Sequence, residues 1–183
     1  MEAFFAEMDA SDFVRDYVDV DRFLECCKVC PNYGAKWSCP PFAFDVQAFW
    51  AGCERIGLYA WKVDTADLAG RTDAAAQAEA AHRRAELRRQ MQAELYAQEA
   101  ARPGTKALVC GSCDLCEGCA RKQGRDCIQP QKMRHSIESL GGNVGKVTEK
   151  LFGLPLQWSK NGEITKYTVL VSAICVLHHG EKI

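Results

Sequence analysis

The hydrophobic pattern of the chain is clearest near its end. Residues 164–177 predict a long strand rich in Val and Ile, in which residues 169–177 are the apolar run, and a shorter predicted strand, residues 154–158, comes before it. The Asn161-Gly162 pair between them is the strongest short-range signal for a β-hairpin. Two more strands are predicted at residues 57–63 and 105–109, which are short and apolar. Because the last strand is long and rich in β-branched residues, we expect it to be central in the sheet.

Helical patterns fill the segments between these strands. Residues 1–24 predict short helical pieces with Asp residues as candidate N-caps, and residues 45–55 and 143–152 predict two further helices. Residues 71–102 are rich in Ala, Glu, Gln and Arg and contain no Gly or Pro, which predicts one long helix. Together these elements predict an α+β fold with a small, mostly antiparallel sheet and packed helices. Residues 1–183 would form a single domain, in which the long helix is a crossover or an insertion.

One cysteine-rich stretch carries the clearest chemical signal. Its spacing is C-x2-C-x2-C-x7-C-x2-P, formed by Cys113, Cys116, Cys119, Cys127 and Pro130. Two-residue gaps let consecutive thiolates converge on one side of a tight loop, as they do in the cysteine run of bacterial ferredoxins. The four thiolates therefore predict a [4Fe–4S] cluster. A structural zinc site is the alternative, and disulfides or free thiols are a further one.

An earlier stretch carries three more thiols that fit one ligand set. They are Cys26, Cys30 and Cys39, with Cys27 as a competitor for Cys26. A second cluster here would either borrow a fourth ligand or keep one iron open to water, a carboxylate or a substrate. The candidates for a borrowed ligand are Cys27, Cys53 and Cys110. We expect the two cysteine-rich loops to meet on one face of the sheet.

Composition and charge narrow the function classes. With 183 residues, of which 48% are hydrophobic, the chain can build a packed core. A net charge of −1 gives no reason to expect binding to nucleic acid or to an anionic membrane. No apolar run approaches the roughly 18 residues of a membrane span, and the acidic first residues do not resemble a signal peptide, so we expect a cytoplasmic protein. In that reducing compartment, eleven cysteines favour metal binding over disulfides.

In combination, the two stretches resemble a family of predicted metal-binding, cysteine-rich prokaryotic proteins of unknown function. The first motif is C-x3-C-P-x-Y-G-x-x-W-x-C-P-P, and the second continues after its proline as x3-R-x-S-x-E-x-x-G. The residues of this continuation are Arg134, Ser136, Glu138 and Gly141. The resemblance spans residues 24–177 apart from the long predicted helix. It implies an iron–sulfur or other metal protein of this size and supplies no reaction.

Two basic residues follow the last predicted ligand. Lys132 and Arg134 are candidates for binding an anionic ligand beside the cluster, or for raising its potential through hydrogen bonds. A solvated helix start is the structural alternative for both. We also expect Glu138 to cap its turn or to pair with Arg134, four residues earlier.

Three functional hypotheses follow from these residues. The first is an iron–sulfur protein with two [4Fe–4S] clusters that transfers electrons to a partner redox enzyme, either as a monomer or as a homo-oligomer. The second is an enzyme or a small-ligand sensor that uses an open iron at the three-cysteine site. The third is a zinc-stapled interaction protein, with the long helix as its docking surface.

Overall fold

A four-stranded antiparallel sheet forms the centre of the computed structural model, which describes residues 2–179. The strands are β1 (Glu2–Asp9), β2 (Cys53–Asp64), β3 (Thr105–Leu108) and β4 (Tyr167–Leu177). Their order is β1-β2-β4-β3, so the long apolar strand β4 is central, as its sequence predicts. The α+β prediction is therefore confirmed.

Five α-helices accompany the sheet within residues 2–179: α1 (Ala10–Tyr17), α2 (Val20–Lys28), α3 (Val46–Ala51), α4 (Ala74–Ala101) and α5 (Val144–Phe152). Four of them begin at an Asp or Asn whose side chain accepts a backbone hydrogen bond, namely Asp19, Asp45, Asp73 and Asn143. Such caps satisfy amides that the helix leaves free. Helix α3 is shorter than predicted because β2 already begins at Cys53.

The sheet separates two hydrophobic layers. Along β2, Ile56, Leu58 and Ala60 face the layer covered by α1, α3 and α5, whereas Trp61 and Val63 face the layer covered by α4. This alternation follows from the two-residue period of a strand. The α4 side chains in the second layer are Leu87, Met91 and Leu95. Burying each such side chain stabilises the fold by about 1.5–3 kcal/mol.

Helix α4 crosses the sheet from β2 to β3, which run parallel to each other on either side of β4. It also reaches the loop after β3, because Arg88 donates a hydrogen bond to the Cys110 carbonyl at 3.0 Å. The same guanidinium pairs with Asp114 at 2.9 Å. Within the described residues no helix, α4 included, is both long and apolar enough to span a lipid bilayer.

The structure differs from the helical prediction over the first described residues. Residues 2–9 form the edge strand β1, in which partly buried Phe4, Ala6 and Met8 alternate with exposed residues. Arg55 on β2 pairs with Glu7 at 2.7 Å and with an aspartate at 2.9 Å. The helical prediction is wrong here because exposed and partly buried residues alternate with the two-residue period of a strand. The acidic residues Glu7 and Asp9 pair with Arg55 of the neighbouring strand and do not act as helix caps.

The predicted hairpin at the end of the chain is also wrong in its first strand. Residues 154–158 form a loop, in which the Pro155 carbonyl accepts a hydrogen bond from Tyr167 Oη at 2.7 Å. Proline has no N–H to donate to a strand ladder. The expected turn exists, with φ of 51° at Asn161 and 76° at Gly162, but β4 begins only at Tyr167.

Candidate metal centre

The loop after β3 carries the second thiol set, which consists of Cys113, Cys116, Cys119 and Cys127. All four are partly buried, and all four line one cavity of about 240 Å³. Residues Ala120–Gln123 form a 3-10 turn that ends at Gly124, whose φ of 65° is left-handed. This turn folds the longer gap back, so that Cys127 lies beside the other three.

The thiols of the second set influence one another. Burial raises the pKa of the Cys113 thiol, and the charges of Asp114, Cys116 and Cys127 raise it further. The side-chain amide of Gln129 donates to Cys116 Sγ at 3.5 Å. Grouped thiols resist deprotonation on their own, and a bound cation reverses that balance. Nowhere in residues 2–179 do three His, Cys, Asp or Glu side chains converge on one ion-sized point.

The first thiol set consists of Cys26, Cys27, Cys30 and Cys39. The first two lie in the last turn of α2 and the other two in the loop that follows. Cys26 and Cys30 are exposed, whereas Cys27 and Cys39 are partly buried. Burial raises the pKa of the Cys27 thiol, and Cys39, Cys30 and Cys26 add to the rise. The Cys30 N–H also donates to the Cys27 carbonyl at 2.9 Å, so the structure places Cys27 beside Cys30, which the sequence assigns to this site.

Arg121 joins the two loops. Its guanidinium donates hydrogen bonds to the carbonyls of Lys36, Cys39 and Pro41 at 2.9, 2.7 and 2.6 Å. It also lies over the ring of Trp37, 4.9 Å from the centroid, which is a favourable cation–π position. One side chain of the second loop thereby fixes three backbone groups of the first.

Three further residues complete this junction. Ser38 Oγ accepts a hydrogen bond from the Cys113 N–H at 2.9 Å. Lys36 Nζ donates to Ser112 Oγ and to the Cys113 carbonyl, both at 2.9 Å. His135 Nδ1 lies 3.2 Å from the Ser38 carbonyl. The two cysteine-rich loops therefore meet on one face, as predicted.

The remaining cysteines belong to other parts of the fold. Cys53 and Cys175 are buried in the layer on the α1 side of the sheet, and a hydrogen bond to Cys53 together with burial raises the pKa of Cys175. Cys110 packs against the α4 layer, and burial raises its pKa to about 12. Of the three candidates for a borrowed ligand, Cys27 is the one that lies among the other thiols of the first set.

Arg134 is held by a carboxylate of α4. Its Nε lies 2.8 Å from Glu99 Oε2, and both side chains are only 12% exposed. The guanidinium also lies 5.7 Å from the centroid of the Tyr96 ring. The expected pairing of Arg134 with Glu138 is therefore wrong. Lys132 is exposed, and an anion-binding role for Lys132 and Arg134 stays a prediction.

Sequence reasoning assigned no role to Lys36 and Ser38, although both lie inside the first motif. Their partners are 75 to 77 positions away in the chain, and no local spacing reports so distant a contact. The one sequence feature that could have indicated a role for Ser38 is its position directly before the predicted ligand Cys39. These residues show that the first loop also forms one wall of the second cavity.

The chain belongs to the DUF2284 family of predicted metal-binding proteins, whose family model matches residues 14–174. The matched range includes both thiol sets, so the resemblance inferred from the cysteine motifs is confirmed. The family description predicts a metal without identifying it. The chain matches no curated protein and no solved structure.

Proposed function

We propose that this metal-binding protein holds two [4Fe–4S] clusters, one at each thiol set, and exchanges electrons with a partner redox enzyme. The observation that carries the proposal is the contact between two four-cysteine loops, made by Arg121, Lys36 and Ser38. Four thiolates saturate a [4Fe–4S] cluster. A saturated cluster has no open coordination site, so electron transfer is its natural chemistry.

The second thiol set suits a cluster better than a single ion. Thiolates are soft ligands that bind both zinc and iron–sulfur clusters. Zinc requires four sulfurs at about 2.3 Å from one point, whereas the four thiols here are among the residues that line a cavity of about 240 Å³ and converge on no ion-sized point within residues 2–179. Three of them also follow one another at the uniform step of a ferredoxin loop. Size and spacing together favour iron and sulfide.

Hydrogen-bond donors near the cysteines support the same interpretation. Lys36 and Lys122 line the second cavity together with Asp114 and Glu117, so the charges of the lining balance. Gln129 Nε2 donates to Cys116 Sγ at 3.5 Å, and Arg121 donates to the Cys39 carbonyl. A cluster with four thiolate ligands is anionic, and it becomes more so on reduction. Nearby cations and hydrogen-bond donors stabilise that charge and raise the reduction potential.

Two exposed apolar residues beside the ligands suit contact with a partner enzyme. Val29 is 86% exposed and directly precedes Cys30, and Ile128 is 67% exposed and directly follows Cys127. Single exposed aliphatic side chains are common on protein surfaces, and they mark a protein–protein contact when they belong to one continuous apolar patch. Their position would bring a partner close to both clusters.

The test is metal and sulfide analysis of protein purified without oxygen. We expect about eight irons and about eight sulfides per chain, with visible absorption that is lost on reduction and returns on oxidation. About two zinc ions per chain and no sulfide would instead support the zinc-stapled protein. Addition of an electron donor should reduce both clusters.

A second candidate function is small-ligand binding at the first thiol set. A cavity of about 220 Å³ lies next to the Cys39 loop; its lining includes Tyr33, Pro40, Pro41 and Phe42 and none of the four thiols. An apolar cavity next to an incompletely ligated iron would admit a small organic ligand. Electron paramagnetic resonance of the reduced protein with small thiols and carboxylic acids separates the two functions, because an electron carrier should show no change.

A further inference from the structure

Helix α4 contacts the loop of the second thiol set near the beginning of that loop. Arg88 Nε donates to the Cys110 carbonyl at 3.0 Å, and its Nη2 donates to the Ser112 carbonyl. Its Nη1 pairs with Asp114 at 2.9 Å, and the Arg88 side chain is only 26% exposed. Because Asp114 directly follows Cys113 and Ser112 directly precedes it, Arg88 fixes the chain on both sides of the first predicted ligand.

The same helix contacts the chain again beyond the last cysteine of the second set. Glu99 Oε2 binds Arg134 Nε at 2.8 Å, and each of these two side chains is 12% exposed. Arg134 Nη1 in turn donates to two carbonyls of its own segment, both at 2.8 Å. Tyr96 Oη, one turn before Glu99, donates to the Lys132 carbonyl at 3.2 Å. The segment that follows Cys127 is therefore attached to α4 by side-chain and backbone contacts.

Both ends of the second cysteine loop are thus held by one face of one helix. Arg88, Met91, Leu95 and Glu99 follow one another at steps of three and four residues, which places them along one side of α4. The two apolar side chains in the middle are buried against the sheet, so the helix is a fixed support. A rise of about 1.5 Å per residue puts the two charged contacts about 16 Å apart along the helix axis.

The middle of the loop, residues 115–130, carries the other three thiols of the set and has little regular structure. A segment whose ends are already held loses less conformational entropy when a ligand orders it, and it therefore binds that ligand more tightly. Side chains that orient metal ligands without touching the metal commonly change metal affinity by about 10–100-fold. The contacts of α4 are suited to such a role.

We propose that Arg88 and Glu99 are positioning residues of the metal centre at the second thiol set, so that α4 holds the two ends of its loop ready for the metal. Arg88 acts through the backbone around Cys113, and Glu99 acts through Arg134 on the segment after Cys127. This inference rests on the proposed function, because it needs a metal centre at the second set. It assigns a role to the long helix, which the cysteine motifs leave without one.

The first test uses the metal-free full chain, in which each thiol's rate of alkylation by iodoacetamide is followed by mass spectrometry. Arg88→Ala should make Cys113 react about fivefold faster, because the hydrogen bonds that hold its backbone are lost. Glu99→Ala should do the same for Cys127. Cys53 and Cys175, which are buried in the sheet core, should keep the rates of the unmodified protein. A variant that only destabilised the whole fold would accelerate all of these thiols.

The second test follows the loss of iron to a chelator from protein reconstituted with iron and sulfide. In Arg88→Ala, about half of the iron should leave about tenfold faster, while the other half leaves as in the unmodified protein. Arg88→Lys keeps the charge but not the fork of donors, so it should recover only part of the retention. Arg89→Ala and Glu94→Gln are the controls, because both residues are exposed on the same helix, and neither should change the rate.

The possible failures can be told apart. Unmodified protein that takes up no iron and sulfide contradicts the proposed function, whereas the alkylation rates of the metal-free protein still decide whether α4 holds the loop. Unchanged rates at Cys113 and Cys127 in the alanine variants overturn the inference, and so does an equal acceleration at Cys53. Arg88→Lys and Glu99→Gln, which are milder changes, give the same test if an alanine variant does not fold.

Discussion

The two thiol sets differ in what holds their cysteines. Cys26 and Cys27 lie in the last turn of α2, which has an N-cap at Asp19. The start of this helix is held by a hydrogen bond from the Asp19 N–H to the Gly141 carbonyl at 2.9 Å. The cysteines of the second set stand in a loop, of which the 3-10 turn Ala120–Gln123 is the regular part. That loop depends on Ser38 and Lys36 from the first loop for contacts near Cys113.

Exposure differs between the sets as well. All four thiols of the second set are partly buried around a cavity, whereas Cys26 and Cys30 of the first set are exposed. Burial insulates a cluster, and exposure lets it meet a partner. If the proposed function is correct, electrons would enter or leave through the more exposed first set. It also predicts that the second loop depends on its metal for order, because its own backbone supplies little regular structure.

Removal of second-set ligands should have the largest effect. Cys116→Ser combined with Cys119→Ser should remove the second cluster and with it about half of the iron. Thermal unfolding should occur at lower temperature, because the loop loses its metal staple. Cys53→Ala is the control, since Cys53 lies in the sheet core and its loss should leave the iron content unchanged. Full iron content in the double variant would mean that these thiols bind no metal.

The junction between the sets should be the next most sensitive place. Arg121→Ala removes three hydrogen bonds to carbonyls of the first loop, each worth about 1.5–3 kcal/mol when the donor is charged. Because the groups are partly exposed, we expect about 2–4 kcal/mol in total from urea unfolding. Both clusters should also be lost faster in air.

Two variants control this second experiment. Arg121→Lys keeps the charge but not the fork of donors, so it should recover only part of the stability. Arg125→Ala removes a neighbouring exposed arginine whose side chain donates to Gln123 in the same loop. The variant keeps the backbone carbonyl that accepts from Trp37, so it should behave as the unmodified protein. Equal losses for Arg121→Ala and Arg125→Ala would mean that the junction adds no stability.

The same contrast explains how far the fold could be predicted from the sequence. Strand β4 and helices α4 and α5 have strong local patterns, and the structure confirms them. Strand β1 and the loop over residues 154–158 have weak patterns whose outcome depends on distant partners. Residues 2–9 form a strand because they pair with β2. In the loop over residues 154–158, the Gln157 side chain accepts a hydrogen bond from the Lys166 N–H.

The site divides in a similar way. Cysteine spacing predicts two sets, because ligands of one centre lie close in sequence. The position of Cys27 relative to Cys26 is set by the rotation of α2, which spacing does not report. The pairing of Arg134 with Glu99 could not be predicted from local sequence, because it depends on how α4 packs against the sheet. The role of Arg134 and Lys132 toward an anion stays a prediction.

A smaller effect should follow from a single hydroxyl at the junction. Ser38→Ala removes the acceptor for the Cys113 N–H, which is bonded at 2.9 Å, and should cost about 1–2 kcal/mol in urea unfolding of the metal-free protein. Ser172→Ala is the matched control, because the Ser172 hydroxyl is buried without a partner in the described chain. Its loss should be neutral or stabilising. A cost for Ser172→Ala equal to that of Ser38→Ala would remove the junction from the explanation.

The smallest effect concerns pH, and it tests whether the junction is closed without metal. Burial lowers the pKa of His135, whose ring packs 4.8 Å from that of Phe42. The unfolded chain then binds a proton at a higher pH than the folded one, with an unfolded pKa of about 6.5. The free energy of unfolding that depends on neutral His135 is therefore fully present above that pH, and it is lost as the pH falls toward the lower folded pKa.

Urea unfolding of metal-free protein should show a free energy of unfolding that declines below about pH 6.5. The decline should be shallower in His135→Gln, which does not titrate, and parallel profiles for the two proteins would show that His135 is accessible to water in the folded state.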